Sequence, residues 1–464
     1  MVFTSSIFLY GFLPAFLLLY ALSPRRLKSL TLTLCSYVFY GWWRPDFVLL
    51  MLFSSMLDFT LGQWIERDRK SGCGTGKRWL VLSMIANLGL LGYFKYANFG
   101  VATFQAILRQ FGWEGSLEWS AVVLPVGISF YTFQTMSYTI DVYRGQAHVV
   151  HRFVDFLCYV AMFPQLVAGP IVRYSVIEEE LRTRRHTLAG FYQGLLFFQV
   201  GFAKKVLVAD VVAPIADQAF AAPAPLCGEA WLGILAYAFQ IYFDFSGYSD
   251  MAIGLGLMLG FHFPINFDSP YVSRSITEFW RRWHISLSSW LRDYLYISLG
   301  GNRKGKVRTY VNLSATMLLG GLWHGASWNF LAWGGYQGFW LVVERMLGKR
   351  SLWGRSPRPV QVAATFVLVL FGWVLFRATD LSHAVRYAGS MLGLCGAPGL
   401  DLPPTNLAMC GMGCAAVLVW ALPPSHRLIG RGSPWFVLLL QALFALAILH
   451  LHYQDDVPFL YFQF

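Results

Sequence analysis

Apolar runs of nearly membrane-spanning length recur along this chain, and they constrain its fold more than any other feature. A helix that crosses a bilayer core of about 30 Å needs roughly 20 apolar residues. Hydrophobic residues make up 56% of the 464 residues and charged residues only 13%, which excludes a soluble domain of ordinary composition. We predict an all-α polytopic membrane protein with one integral-membrane domain, residues 1–464. Its clearest runs are residues 7–22, 79–91, 232–259, 360–376 and 436–451.

The basic residues favour one orientation in the membrane. If the N-terminus is extracytoplasmic and each long run crosses once, 29 of the 36 Lys and Arg residues fall in cytoplasmic segments. The positive-inside rule expects this bias, so we predict about ten crossings with both termini periplasmic. The net charge of +12 then implies no nucleic-acid partner. The seven cysteines form no C-x-x-C pair and show no metal-ligand spacing with histidine, so we predict no metal site.

Two further segments are expected to enter the membrane or its surface without crossing. Residues 153–172 are apolar, but Phe163-Pro164 and Gly169-Pro170 interrupt them, which predicts a broken or re-entrant element. Residues 277–296 mix Trp, Leu and Ile with several charged side chains. They predict an amphipathic helix at or just below the cytoplasmic surface.

Residues 308–345 are basic at both ends and apolar between, with interruptions at Gly320-Gly321 and Gly325. We interpret them as a helical hairpin whose arms of roughly 13 residues span about 20 Å. Because a bilayer core is about 30 Å thick, the turn carrying His324 would lie within the membrane. A kinked pair of full crossings is the alternative.

Two histidines inside apolar stretches are the candidate catalytic residues, because ionisable groups at membrane depth are costly and usually functional. His324 lies between Trp323 and Trp328, and a buried, neutral imidazole can act as a general base. The alternative is a structural histidine bonded to a backbone carbonyl. His284 follows two arginines, and its alternative is an interfacial residue that pairs with lipid headgroups.

Carboxylates near these histidines are candidate supporting or substrate-binding residues. Asp244 and Asp250 lie in an apolar run with two hydroxyls and two phenols, and Asp293 lies in the amphipathic stretch. Three roles are open for Asp244 and Asp250: they orient a histidine, bind substrate, or pair with an arginine. The arginines available for that pairing are Arg281, Arg282 and Arg292.

Several long motifs in this chain closely resemble the membrane-bound O-acyltransferase family. They include Tyr-Phe-Asp-Phe-Ser-Gly-Tyr-Ser-Asp at the start of 242–256 and Gly-Gly-Leu-Trp-His-Gly-Ala at 320–326. Further segments that match are 36–43, 92–98, 275–288 and 290–297. The similarity extends over nearly the whole chain, and it is greatest to the bacterial branch that acetylates exopolysaccharides such as alginate.

The resemblance implies that His324 is the catalytic histidine and that His284 is the second characteristic one. Trp323, the neighbour of His324, is a further candidate supporting or substrate-binding residue. It implies a central funnel or tunnel in a bacterial inner-membrane enzyme. Acetyl-coenzyme A is the expected donor, with no bound cofactor, and extracytoplasmic acetyltransferases are the expected partners. The alternatives are a different envelope polymer (cellulose or peptidoglycan), a long-chain lipid or protein acceptor, or a proton-coupled transporter of an acyl or glycan species.

The aromatic tail, residues 458–464, has the pattern F-x-Y-x-x-F. In related acyl-export systems such a tail is implicated as an acyl relay, which suggests that Tyr461 accepts the acetyl group. The alternative is an aromatic tail that rests at the headgroup level. The charge distribution places this tail on the periplasmic side, where a relay would deliver.

Overall fold

The computed structural model describes residues 1–72, 74–113, 115, 117–348, 354–396, 405–453 and 459–460. Within these ranges the chain forms helices joined by turns and extended segments, with no β-strand. Two compact units can be distinguished. Unit 1 contains residues 1–187 and 260–263, and unit 2 contains residues 188–259 and 264–464.

Unit 1 is built from eight α-helices in its described part, and a π-helical turn, Ile7–Phe12, leads into the first. The helix Asp46–Ser71 is terminated by Gly72, whose left-handed conformation (φ 67°) glycine adopts readily. The helices are α1 (Leu13–Leu22), α2 (Lys28–Gly41), α3 (Asp46–Ser71), α4 (Lys77–Gln110), α5 (Ile128–Arg144), α6 (Phe153–Ala161), α7 (Phe163–Leu166) and α8 (Tyr174–Arg182).

The core of unit 1 contains polar side chains that satisfy one another. Asp58 on α3 accepts hydrogen bonds from Ser83 Oγ at 2.6 Å and from Asn87 Nδ2 at 2.7 Å, both on α4. Thr135 Oγ1 of α5 donates to Asn87 Oδ1 at 3.2 Å. Buried polar groups cost little when they are bonded in this way.

The interrupted segment 153–172 is confirmed as a broken element. α6 ends at Ala161, α7 begins with Pro164 in its first turn, and residues 167–173 are not helical. Residues 155–172 are buried throughout. Irregular backbone of this kind is tolerated at membrane depth where protein surrounds it.

Unit 2 carries twelve further α-helices in its described part, with π-helical turns at Lys205–Ala209 and Leu291–Tyr296. The helices are α9 (Leu188–Lys204), α10 (Asp210–Ala221), α11 (Cys227–Met258), α12 (Ile276–Arg282), α13 (Ile285–Trp290), α14 (Lys306–His324), α15 (Trp328–Leu347), α16 (Arg358–Arg377), α17 (Leu381–Met391), α18 (Asn406–Trp420), α19 (Ser425–Arg431) and α20 (Pro434–Leu451).

Small residues bring α9 and α11 into backbone contact. A Cβ atom on Gly201 would lie 2.3 Å from the Gly247 carbonyl oxygen, and one on Gly194 would lie 2.5 Å from the Gly254 carbonyl oxygen. Small residues at the interface between two helices allow the helices to pack closely in membranes. The contact fixes the π-helical turn that follows α9 beside the middle of α11.

Four helices of the described chain are long and apolar enough to cross a membrane, namely α3, α4, α16 and α20. Shorter apolar helices cover Ile7–Leu22 and Asn406–Trp420. The polytopic all-helical class is confirmed, while about ten crossings and a central funnel stay predictions. The stretch 277–296 is helical, but a break at Trp283-His284 divides it, so a single amphipathic helix was the wrong prediction.

The helical hairpin is confirmed as α14 and α15, which pack along each other, but its arms were underestimated. Gly320 and Gly321 lie inside α14, and the chain leaves the helix only at Gly325, whose backbone is extended. Helices of 19 and 20 residues are about 28 and 30 Å long. These lengths match a bilayer core, so the argument from arm length for the depth of His324 was wrong.

Candidate active site

His324 is the last residue of α14, where the hairpin turns. Ser327 begins the return helix by accepting a hydrogen bond from Phe330 N–H at 3.4 Å. The imidazole is 5% exposed and lies among aromatic rings. Its centroid is 5.0 Å from Trp333 on α15 and 5.3 Å from Phe376 on α16, both nearly edge-to-face.

The turn is tightly packed because Gly325 and Gly321 have no side chains. A Cβ on Gly325 would lie 2.1 Å from the Phe330 ring, and one on Gly321 would lie 2.2 Å from the Phe330 carbonyl oxygen. The sequence suggested that Gly-Gly ends the helix. The structure shows that Gly321 instead allows α15 to approach.

His284 lies between α12 and α13 in the left-handed backbone conformation, with φ 43°. Its side chain is fully buried, so the headgroup-pairing alternative was wrong. The backbone is held there because Ile285 N–H donates to the Asn266 carbonyl at 2.9 Å. Conformations of this kind cost energy outside glycine and cluster at functional sites.

Asn266 determines the tautomer of His284. Its Oδ1 accepts hydrogen bonds from Ser286 Oγ at 2.8 Å and from Ser286 N–H at 3.2 Å, while its amide nitrogen donates to Ser249. The same Oδ1 lies 3.2 Å from His284 Nδ1. An oxygen accepts only from a protonated nitrogen, so a neutral His284 carries its proton on Nδ1 and its lone pair on Nε2.

The two histidines lie close together inside unit 2. Their ring centroids are 6.5 Å apart. The Trp323 ring lies beside both, with centroids 6.1 Å from His284 and 5.0 Å from His324, and its supporting role stays a prediction. The structure therefore brings together three residues that the sequence assigned to the site.

The return arm of the hairpin also holds the segment that carries His284. Glu344 on α15 accepts from the N–H groups of Ile276 and Thr277, at 2.6 and 2.9 Å, and so caps the first turn of α12. Trp280 Nε1–H donates to Gln337 Oε1 at 3.2 Å. α15 thus holds His284 in place through its contacts with α12, and it holds His324 in place through the hairpin turn.

Asp244 and Asp250 pair with lysines, which neither expectation included. Asp244 Oδ1 lies 2.8 Å from Lys205 Nζ, and the same nitrogen lies 2.5 Å from Asp210. Asp250 pairs with Lys204 at 2.7 Å. The pairing with Arg281, Arg282 or Arg292 was therefore wrong for both carboxylates.

Asp293 forms an ion pair with its neighbour Arg292 at 2.6 Å. The pair is partly exposed, with side-chain exposures of 24% for Asp293 and 64% for Arg292. Exposed pairs of this kind stabilise a fold by at most about 1 kcal/mol. A role of Asp293 in substrate binding stays a prediction.

The end of the chain reaches this part of unit 2. Phe459 and Leu460 are buried, and Leu460 N–H donates to Asp244 Oδ2 at 3.0 Å. The Phe459 ring lies 6.2 Å from Phe245, whose ring is 4.7 Å from His284 and perpendicular to it. Of the predicted relay segment 458–464, only Phe459 and Leu460 are described, and Tyr461 lies outside the described residues.

Sequence reasoning missed several residues that shape the site. Asn266 was detectable as a polar residue between apolar neighbours, Ile265 and Phe267. Lys205 interrupts an apolar helix, and a cation in such a run is a functional signal of the same kind as the histidines. Trp333 and Phe376 gave no signal, because aromatic residues occur throughout this chain.

Together the fold and the paired histidines define a class of membrane acyltransferases. The model of the membrane-bound O-acyltransferase family matches residues 34–378, a range that contains both histidines. The chain therefore belongs to the membrane-bound O-acyltransferase family, and it is an acyltransferase.

Known relatives make the comparison more specific. The chain is 47% identical to the probable alginate O-acetylase AlgI of Pseudomonas putida, over the full length of both chains. It is 53% identical to the protein of that name from Azotobacter vinelandii, over 84% of this chain and 78% of the other. It is also 35% identical to a peptidoglycan O-acetyltransferase of Helicobacter pylori, over 85% and 80% of the two chains.

Proposed function

We propose that this chain transfers acetyl groups from cytoplasmic acetyl-coenzyme A across the bacterial inner membrane for O-acetylation of alginate. The observation that carries the proposal is the pair of buried histidines, His324 at the turn of the α14–α15 hairpin and His284 between α12 and α13, whose ring centroids are 6.5 Å apart. Relatives with 47% and 53% identity bear the name alginate O-acetylase, which supports this acyl group and polymer.

The proposed first step is acyl transfer to the phenol of Tyr461. His324 takes the phenolic proton as general base while the phenolic oxygen attacks the thioester carbonyl carbon. The carbon–sulfur bond breaks, and the coenzyme A thiolate leaves and accepts that proton from His324. His284 supports this base as the second imidazole of the site.

In the proposed second step, a serine hydroxyl of an extracytoplasmic partner attacks the aryl ester. The ester bond to Tyr461 breaks, the phenol is restored, and the partner passes the acetyl group to the polymer. The contact between Leu460 and Asp244 supports this relay, because it brings the end of the chain beside residues that pack on His284.

Peptidoglycan is the second candidate polymer, supported by the 35% identity to the peptidoglycan enzyme of Helicobacter pylori. The greater identity to alginate enzymes favours alginate. Membership of an acyltransferase family favours acyl transfer over the transporter alternative.

The test is the mass of the C-terminal peptide after purified protein has been incubated with isotope-labelled acetyl-coenzyme A. We expect one labelled acetyl group on Tyr461 in the wild type, and none in His324→Ala or Tyr461→Phe. Thioester turnover without label on the tail would overturn the relay and point to direct transfer. Turnover that persists in His324→Ala would overturn its catalytic role.

A further inference from the structure

Two residues of the C-terminal tail, Phe459 and Leu460, are held in the core of unit 2. Phe459 and Leu460 are 3% and 4% exposed, although they follow the last helix. Two separate contacts hold them, one through a backbone group and one through a side chain. Both contacts are made to α11.

The first contact uses the backbone of Leu460. Its N–H donates to Asp244 Oδ2 at 3.0 Å, while the other oxygen of the same carboxylate faces Lys205 Nζ at 2.8 Å. One carboxylate oxygen of Asp244 thus faces Lys205, and the other accepts a hydrogen bond from the tail. A charged acceptor makes such a bond stronger than a neutral one would.

The second contact uses the ring of Phe459. It packs against Tyr248 with centroids 4.5 Å apart and planes inclined by 31°. Residues four apart lie on the same face of a helix, so Asp244 and Tyr248 form adjacent positions on α11. The helix therefore holds two consecutive tail residues at two points.

Lys205 keeps the acceptor in position. It lies in the π-helical turn after α9, and it is 2.8 Å from Asp244 and 2.5 Å from Asp210. The glycine contacts between α9 and α11 fix the distance between these elements. Asp244 cannot swing toward a different tail residue without leaving a buried lysine partly unpaired.

We propose that Asp244, oriented by Lys205, is the positioning residue for the C-terminal tail and determines which tail residue receives the acyl group. This inference rests on the proposed relay through Tyr461. The hydrogen bond to Asp244 uses the backbone N–H of Leu460. The anchor therefore fixes the position of the tail along α11 and does not depend on which side chain stands at position 460. In this proposal, the anchor selects the residue that follows it in the sequence, Tyr461, as the acyl acceptor.

The anchor is tested with a photoreactive benzoylphenylalanine at position 459 in the full-length protein. Leu460→Pro removes the N–H donor, and Leu460→Ala is the matched control that keeps it. We expect crosslinking to the α11 peptide containing Tyr248 in the wild type and in Leu460→Ala, and at least fivefold less in Leu460→Pro. Equal crosslinking in the two variants would overturn the anchor, whatever the activity.

The register is tested with two single-alanine insertions. An insertion between Leu460 and Tyr461 adds one residue between the anchor and the phenol. An insertion between Tyr453 and Phe459 leaves the spacing between Leu460 and Tyr461 unchanged. We expect the first to lower acetyl label on Tyr461 at least tenfold and the second to retain it. Equal labelling would overturn the register. An intact crosslink in a wild type that takes no label would overturn the relay but retain the anchor.

Discussion

His284 shows how one residue is held in a costly conformation for the sake of its side chain. A left-handed backbone costs a residue with a Cβ atom about 1–2 kcal/mol, yet Asn266 fixes both the backbone after His284 and its ring. The sequence could indicate that an imidazole lies in an apolar stretch. It could not indicate the tautomer, because Asn266 is distant in sequence and its pairing depends on the loop that follows α11.

We expect His284→Asn to fold and to lose turnover. Asparagine adopts the left-handed conformation readily but has no basic nitrogen. Thioester turnover should fall by about a hundredfold, the lower range of a general acid–base contribution. The melting temperature of the purified protein should stay within a few degrees of the wild type.

His284→Ala is the matched control, because alanine, unlike asparagine, does not adopt the left-handed backbone conformation readily. It should lose turnover equally and melt at a lower temperature than His284→Asn, with a difference in unfolding free energy of about 1 kcal/mol. A His284→Asn enzyme that keeps more than a tenth of its turnover would contradict a chemical role for His284.

The α14–α15 hairpin shows what local sequence signals can and cannot predict. Its existence and its turn at His324 followed from basic ends and an apolar interior. The arm lengths did not, because Gly320-Gly321 is a helix-breaking signal only when nothing packs against it. Here Gly321 faces the backbone of α15, and a helix contact of this kind is not visible in the sequence of one arm.

Gly321→Ala should destabilise this hairpin. The added Cβ would lie 2.2 Å from the Phe330 carbonyl oxygen and 3.0 Å from Gly334 Cα, so backbone atoms must move. Overpacking of this kind costs about 1–3 kcal/mol. A lower melting temperature and a loss of turnover are expected together, because the shift reaches His324.

Gly335→Ala provides the control within the same helix pair. A Cβ there would lie 3.6 Å from Leu318 Cδ2, which is an ordinary van der Waals contact. Its melting temperature should equal or exceed that of the wild type, since alanine favours helix. If the two variants unfold at the same temperature, close approach at Gly321 does not stabilise the hairpin.

At the scale of the whole molecule, composition predicted the polytopic helical class and the motifs predicted the family. The partners of Asp244 and Asp250 were not predicted, because charge pairing between distant helices depends on which faces meet. Lys204 and Lys205 reach these carboxylates only through the contact of α9 with α11. Topology in the membrane is likewise set by the whole chain, through its distribution of Lys and Arg.

The predicted orientation can be tested with single cysteines in a cysteine-free background. Ser6→Cys and Lys304→Cys both place a thiol at an exposed position. In intact spheroplasts, a membrane-impermeant maleimide should label Ser6→Cys but label Lys304→Cys only after lysis. The reverse pattern would place both termini in the cytoplasm and remove the periplasmic delivery that the relay needs.

In the proposed relay, the anchor at Phe459 and Leu460 makes the acyl acceptor, Tyr461, a ligand tethered to its own enzyme. A short covalent connection gives such a ligand an effective concentration of about millimolar, without any increase in intrinsic affinity. A chain truncated after α20 would therefore need a free tail peptide at similar concentration to regain turnover. In the same proposal, the tether favours Tyr461 over free phenols at lower concentration, so selectivity for the acceptor follows from its covalent attachment to the chain.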